Sequence, residues 1–247
     1  PVNDGPSVTA PTATQEISED ESITFSEDNN NPISVTDPDV GEVDPDDANE
    51  IDGKLEVYVS AEYGTLTLET TANLVFSEGS GPTAEVMKFT GLEDDINNAL
   101  KNLKYTPASD HNDNKGSEVI TIQVSDQGNN GDTALTASAT IPVEVTAIND
   151  APIIAFNDNT PSTDENTELI LGAANNNAIT VTDDATEVSG SIQVTLTVEN
   201  GTLTLAATDG LGFNGVNGTA SFAFSGATDK IDTALDGLKY LPGAGSN

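Results

Sequence analysis

The chain has 247 residues, of which 42 are Asp or Glu and 7 are Lys or Arg, giving a formal net charge of −35. That balance excludes nucleic acid as a natural partner and docking on an anionic membrane surface, because both need clustered cations. The lack of Cys and the single histidine, His111, exclude disulfides, thiol catalysis and zinc or copper sites of the His/Cys kind.

Apolar residues make up 35% of the chain and alternate in strand patterns, so disorder fits poorly despite the acidity. Ile23 and Phe25 alternate with polar residues, as do Leu55, Val57 and Val59, and then Leu66 and Leu68. Leu92 to Lys104 breaks the period. Ile96, Leu100 and Leu103 fall at i, i+4 and i+7, with Glu93, Asp94 and Asp95 early and Lys101 and Lys104 late, which predicts a short helix aligned with its dipole. Ser109 to Asp113 is polar, and His111 within it reads as a solvated loop histidine. Val119–Val124 and Ile141–Val145 return to period two. Further on, Ile192, Val194, Leu196 and Val198 predict another strand. Ile231, Leu235 and Leu238, with Asp229 early and Lys239 late, predict a second helix. Short Thr- and Val-rich strands separated by Gly, Asn and Asp turns indicate an antiparallel sandwich. No apolar run approaches membrane-spanning length.

The chain repeats itself. Val2-Asn3-Asp4-Gly5-Pro6 returns as Ile148-Asn149-Asp150-Ala151-Pro152, and Ile33–Asp37 returns as Ile179–Asp183, both at an offset of 146. Gly64-Thr65-Leu66-Thr67-Leu68 returns at 137 as Gly201–Leu205, and Leu103–Pro107 returns at 135 as Leu238–Pro242. The fold expected is therefore all-β: tandem antiparallel β-sandwich modules over residues 1–149 and 150–247, each with one short helix. The joint between them, carrying Asn, Asp and Pro, is short and stiff rather than a Gly/Ser tether. The second module lacks counterparts of Val119–Val124 and Ile141–Val145, so it is incomplete and the sequence is expected to be an excerpt. Strand donation by another chain is the alternative.

So many carboxylates repel one another unless cations neutralise them. Calcium takes six to eight oxygen ligands, several of them carboxylates, and is the natural counter-charge. Candidate ligands should recur at matching points of the two modules, and they do. Glu19 matches Glu165, Asp37-Pro38-Asp39 matches Asp183-Asp184, and Asn3-Asp4 matches Asn149-Asp150. The first module adds Asp126 in Ser125-Asp126-Gln127-Gly128. Asp44, Asp46, Asp47, Glu50 and Asp52 form another acidic cluster. They lack the glycine of an EF-hand loop and read as a surface charge patch.

Asn-Asp-x-Pro joints, the early Glu19-Asp20, the segment Thr36-Asp37-Pro38-Asp39 and the turn Ser125–Gly128 together resemble the cadherin-like or Ig-like tandem extender repeats of large bacterial RTX-type calcium-dependent adhesins. The resemblance covers the first module and the available part of the second. It implies that Glu19, Asn149, Asp150, Asp183 and Asp184 serve the central joint. It assigns Asn3, Asp4, Asp37, Asp39 and Asp126 to an upstream joint and Glu165 to a downstream one. Asp183-Asp184-Ala185 departs from a full Asp-x-Asp, and Asp126 has no visible counterpart in the second module.

The function expected is structural. With no Trp and 4% aromatics, the chain lacks the platforms of sugar-processing clefts, and there is almost no base near a nucleophile, so it is not expected to be an enzyme. The expected role is a calcium-rigidified stalk segment of an adhesin at the bacterial cell surface. Its expected partners are neighbouring modules of the same chain and other copies in a filament or biofilm matrix. The alternatives are a subunit of an extracellular filament joined by strand donation, and a ligand-binding adhesive module. The latter needs an exposed aromatic or apolar patch or an open metal position, and the loops show neither.

Overall fold

Alternation at every second residue sets the strands, and the Gly, Asn and Asp turns between them bend the chain back. A computed structural model describes residues 3–40, 53–128, 133–183 and 191–245. The acidic cluster Asp44–Asp52 and the expected ligand Asp184 lie outside them. The described residues form an all-β, sandwich-type fold with two short helices, divided into unit 1 (Pro1–Ile148) and unit 2 (Asn149–Asn247).

Unit 1 contains β1 (Ser7–Thr9), β2 (Gln15–Ser18), β3 (Ile23–Phe25), β4 (Ser34–Thr36), β5 (Lys54–Ser60), β6 (Gly64–Thr67), β7 (Val75–Glu78), β8 (Thr83–Ala84), β9 (Val86–Leu92), α1 (Glu93–Leu100), β10 (Leu103–Pro107), β11 (Glu118–Ser125) and β12 (Thr136–Thr146). One sheet runs β2-β12-β11-β5-β9-β7 and the other β3-β10-β6-β8, with β1 and β4 paired at one end. Val57, Val59, Ile120 and Ile122 from the first sheet and Phe25, Leu66 and Tyr105 from the second share one core, all of them inaccessible to water. The ladders are antiparallel except β2–β12, which is parallel, a departure from the purely antiparallel sandwich expected.

Unit 2 contains β13 (Ile153–Phe156), β14 (Leu169–Leu171), β15 (Ile179–Thr182), β16 (Ile192–Thr197), β17 (Thr202–Thr204), β18 (Gly212–Asn214), β19 (Ser221–Gly226), α2 (Thr228–Leu235) and β20 (Leu238–Leu241). Its sheets run β13-β15, β14-β20-β17 and β16-β19-β18. These reproduce β1-β4, β3-β10-β6 and β5-β9-β7 of unit 1. The motif Gly-Thr-Leu-Thr-Leu recurs for a packing reason: a Cβ on Gly64 would lie 2.5 Å from the Tyr105 ring and from Thr106 O, and Gly201 is pressed in the same way by Tyr240.

Both helices are shorter than the sequence predicts. α1 stops at Leu100, and Leu103 and Lys104 open β10; Leu238 and Lys239 likewise belong to β20. Leu103 and Tyr105 also satisfy period two, and the ladder bonds of β10 to β3 and β6 outweigh one more helical turn. Each helix instead pins the strand beside it. Asn97 of α1 accepts the Val35 amide and donates to the Val35 carbonyl, both at 2.9 Å, and Asp232 of α2 accepts the Val181 amide at 2.9 Å.

Two further expectations are corrected. His111 is not solvated: it is 7% exposed, stacked on Tyr63 at 4.3 Å between ring centroids, with Nε2 3.0 Å from Gly116 O. An exposed apolar patch also exists, on a strand rather than a loop. Ile153, Ile154 and Phe156 of β13 are 67%, 56% and 56% exposed.

Candidate metal centre

Pairing of β1 with β4, Ser7 opposite Thr36, draws Asn3 and Asp4 alongside Asp37 to Asp39. The end of β11 brings Asp126 to the same place, and the first residue of α1 brings Glu93. The result is a group of oxygen-bearing side chains at one end of unit 1. Asp126 is completely buried: Oδ1 accepts the Gly128 and Leu135 amides at 2.8 Å each, and Oδ2 accepts Asn3 Nδ2 at 2.8 Å. Asn3 Nδ2 also reaches Thr133 O at 3.2 Å. Asp37 Oδ1 accepts the Asp39 amide at 2.9 Å, Asp39 Oδ2 accepts the Asp4 amide, and Glu93 Oε2 accepts the Asp37 amide at 2.9 Å. The backbone thus holds the carboxylates in place, and the Asp4 side chain itself is exposed.

Among the described residues, two oxygens of this group are buried with no hydrogen-bond partner, Asn3 Oδ1 and Asp37 Oδ2. An unmet buried acceptor costs about 1–3 kcal/mol, and more when charged. Burial pushes the Asp37 carboxyl above the ordinary carboxylate range. The like charges of Asp39, Asp126 and Glu93 push it the same way, against the opposing bond from the Asp39 amide. Asp37 is thus a carboxylate short of positive charge, and the same group contains an amide oxygen equally short of a donor. Among the described residues no three His, Cys, Asp or Glu side chains converge closely enough to enclose a metal by themselves. The donor set is mixed, an amide oxygen of Asn3 together with the carboxylates of Asp37 and Asp39, and it is all oxygen, which fits a hard cation.

Glu19 lies at the other end of unit 1. It is 5% exposed; Oε1 accepts the Ile148 amide at 2.6 Å and Oε2 accepts Asn112 Nδ2 at 3.0 Å. Beside it, Asp113 Oδ1 accepts the Val145 amide at 3.1 Å. β12 spans the distance from the Asp126 group to Glu19, roughly 35 Å at 3.3 Å per residue. The structure therefore brings Asn3, Asp37, Asp39 and Asp126 together and sets Glu19 apart from them.

In unit 2, Asn149 and Asp150 are exposed, with Asn149 Nδ2 donating to Asp150 O at 3.0 Å, and Asp183 is half-buried. Glu165 Oε1 accepts the Gly245 amide at 2.9 Å. Thr228 stands where unit 1 has Glu93, so unit 2 lacks that acid.

Reasoning from sequence missed Glu93, Asn112 and Asp113. Glu93 carried a sufficient local explanation as a first-turn acid. Asn112 and Asp113 sat in a polar stretch that gave no sign of burial, although Asn112 is completely buried. Glu118 was missed too. It is 1% exposed and accepts the Glu62 amide at 2.9 Å, the Tyr63 amide at 2.8 Å and the Tyr105 hydroxyl at 2.8 Å. All its contacts are donors of its own unit, so it is a structural acceptor rather than a ligand.

No described helix is long and apolar enough to cross a membrane. No family model matches the chain, and no curated protein matches it. Among solved structures the chain is similar to the C-terminal domain of the AgI/II polypeptide BspA of Streptococcus agalactiae. The two are 10% identical, the match covers 96% of this chain and 88% of that one, and the TM-score is 0.28.

Proposed function

We propose that the chain is a calcium-dependent structural segment of an extracellular bacterial adhesin, a stalk that holds a binding domain away from the cell, and that it performs no catalysis. The observation that carries this reading is the pair of buried, partnerless oxygens, Asn3 Oδ1 and Asp37 Oδ2, set among Asp39, Asp126 and Glu93. A divalent cation there would take Asn3, Asp37 and Asp39, with Asp126 and Glu93 fixing their positions. Because these residues supply fewer than the six to eight oxygens calcium takes, water or a neighbouring module completes the shell. Glu19, at the far end of the same sandwich, is the group offered to a following module, with Asn149, Asp150, Asp183 and Asp184 as the matching residues of that module's start. Calcium held between successive modules would offset the repulsion within a chain of net charge −35 and stiffen the string.

The test is a calcium titration followed by calorimetry and solution scattering, with and without chelator. Calcium should raise the unfolding temperature and lengthen the particle, and Asp37→Asn should remove most of both effects. Identical melting and scattering profiles in calcium and in chelator would sink the proposal.

A further inference from the structure

Among the described residues unit 1 has one parallel ladder, and it ties the first part of the unit to its last strand. β2 lies beside β12, with Gln15 opposite Val143 and Ser18 opposite Thr146. β1 comes earlier in the chain, but its ladder partner is β4, so β2 is the strand through which the beginning of the unit is hydrogen-bonded to its end. A pull on the two ends of unit 1 therefore draws β2 from its Gln15 end and β12 from its Thr146 end. In a parallel pair those points lie at opposite ends of the ladder, so the strands are dragged past each other along their own axes and all the ladder bonds are loaded at once. An antiparallel pair in the same place would have both loaded points together and would open one bond after another.

Other contacts strengthen the same pair. The Glu19 amide donates to Thr146 O at 3.1 Å, the Thr146 hydroxyl donates to Ile17 O at 3.1 Å, and the Ile148 amide donates to Glu19 Oε1 at 2.6 Å. The opposite edge of β12 is held as well. Asp113 accepts the Val145 amide through Oδ1 at 3.1 Å and donates its own amide to Val145 O at 3.0 Å. Asn112, next to it, fixes Glu19, and the stack of His111 on Tyr63 fastens the loop that carries both. Val143 and Val145 are 2% and 1% exposed and Ile17 packs on the same core, so water reaches the ladder from one side only and competes less for its bonds.

We propose that β2 and β12 form a shear clamp, which gives unit 1 a mechanical function of its own: it carries tension from one end of the unit to the other without unfolding. The inference takes from the stalk reading only the source of the load. The resistance is built within unit 1 and needs no cation.

The test compares two directions of pull on the full 247-residue chain in optical tweezers, in chelator. The sequence has no Cys, so introduced cysteines give unique handles. Thr12→Cys with Ala151→Cys loads the ladder in shear, whereas Asp20→Cys with Ala151→Cys loads it from the Ser18–Thr146 end and peels it. All three positions are exposed, and residues 152–247 stay outside the loaded span in both arrangements. An extension of about 3.5 Å per residue of that span identifies unit 1 as the part that opened. At one loading rate the sheared arrangement should open at a force at least about twice that of the peeled one, because several bonds share the load. Thr146→Val, which removes one crossing bond, should speed opening at a fixed shearing force by about two- to tenfold. Asn97→Ala releases Val35, away from the ladder, and should lower the melting temperature while leaving the shearing force unchanged. Equal forces in the two directions overturn the proposal, as does a shearing force that falls with Asn97→Ala and not with Thr146→Val. Repetition in calcium keeps the two readings apart. Unequal forces with no calcium effect support the clamp and count against the calcium-dependent stalk, and a calcium effect with equal forces does the reverse.

Discussion

Asp37→Asn should change the stability of unit 1 in opposite directions according to whether calcium is present. Without cation, the substitution removes a buried negative charge whose Oδ2 has no donor and which lies near Asp39, Asp126 and Glu93. The amide oxygen of Asn can still accept the Asp39 amide, so that bond survives. Relief of an unmet buried acceptor is worth about 1 kcal/mol or more. With calcium, the same substitution removes a ligand. Extracellular calcium modules bind with dissociation constants of about 10⁻⁴ to 10⁻³ M. At about 10 mM calcium, linkage then gives the wild-type protein roughly 1.4–2.7 kcal/mol. For a unit of this size each kcal/mol moves the midpoint by about 2–4 °C, so calcium should raise it by roughly 3–11 °C. In chelator the variant should melt about 2–4 °C above wild type; in calcium it should melt below. Calorimetry reads the midpoint, and exchange at the Gly128 and Leu135 amides reports the site locally. The sign with pH is also fixed. Because the folded-state pKa of Asp37 is raised, folded wild-type protein in chelator binds the extra proton. Its stability relative to the variant therefore falls as pH rises from the ordinary carboxylate range through the raised value, and recovers on acidification. A variant less stable than wild type in chelator would refute the repulsion argument. Equal calcium shifts in both proteins would place the cation elsewhere.

Other substitutions test the donor accounting around the remaining buried acids. Glu118→Ala strips an acceptor from two amides and a hydroxyl and should destabilise unit 1 by about 3–5 kcal/mol in urea unfolding, with Glu118→Gln losing less than half as much. Tyr105→Phe, which leaves buried Glu118 one donor short, should cost about 1–2 kcal/mol. Tyr240→Phe, whose hydroxyl bond to Asn200 is exposed, should stay within about 0.5 kcal/mol by the same measurement. Glu19→Gln keeps the shape but weakens the 2.6 Å bond from the Ile148 amide. A loss of about 1–2 kcal/mol there should speed exchange of that amide by about 5–30-fold, with β5 and β9 unaffected.

The strands were legible in the sequence because a half-buried strand writes its burial directly into alternation, as Leu55, Val57 and Val59 do. Period alone failed where one set of residues fits two periods. Ile96, Leu100 and Leu103 make a helical stripe, yet Leu103 and Tyr105 also alternate, and only the partners of β10 decide between them. His111 was misread for a similar reason. Its chain neighbours are polar, whereas the ring that buries it belongs to Tyr63, far away in sequence. The exposed Ile153, Ile154 and Phe156 could not be recognised either, since unit 1 carries the smaller Ser7, Val8 and Ala10 at the same points and strands distant in sequence cover β1.

The candidate site shows where reading acids from sequence stops. Among 42 acidic residues, repetition selected Asp4, Glu19, Asp37, Asp39, Asp150, Glu165, Asp183 and Asp184, and turn chemistry added Asp126; Glu19, Asp37, Asp39 and Asp126 are buried, whereas Asp4, Asp150 and Glu165 are exposed. Glu118 is equally buried and carries no repeat signal, and residue type cannot separate it from Asp37. The separation comes from counting donors. Glu118 is met by three and Asp126 by three, and these carboxylates hold strands and turns together. Asp37 has an oxygen with no donor, and so does Asn3 in the same group. Buried acceptors in surplus destabilise a folded protein, and a surplus that among the described residues is confined to one end of one sandwich calls for positive charge at that end. What distinguishes the candidate cation site from the rest of a very acidic chain is therefore this local deficit of donors, which only the three-dimensional structure displays.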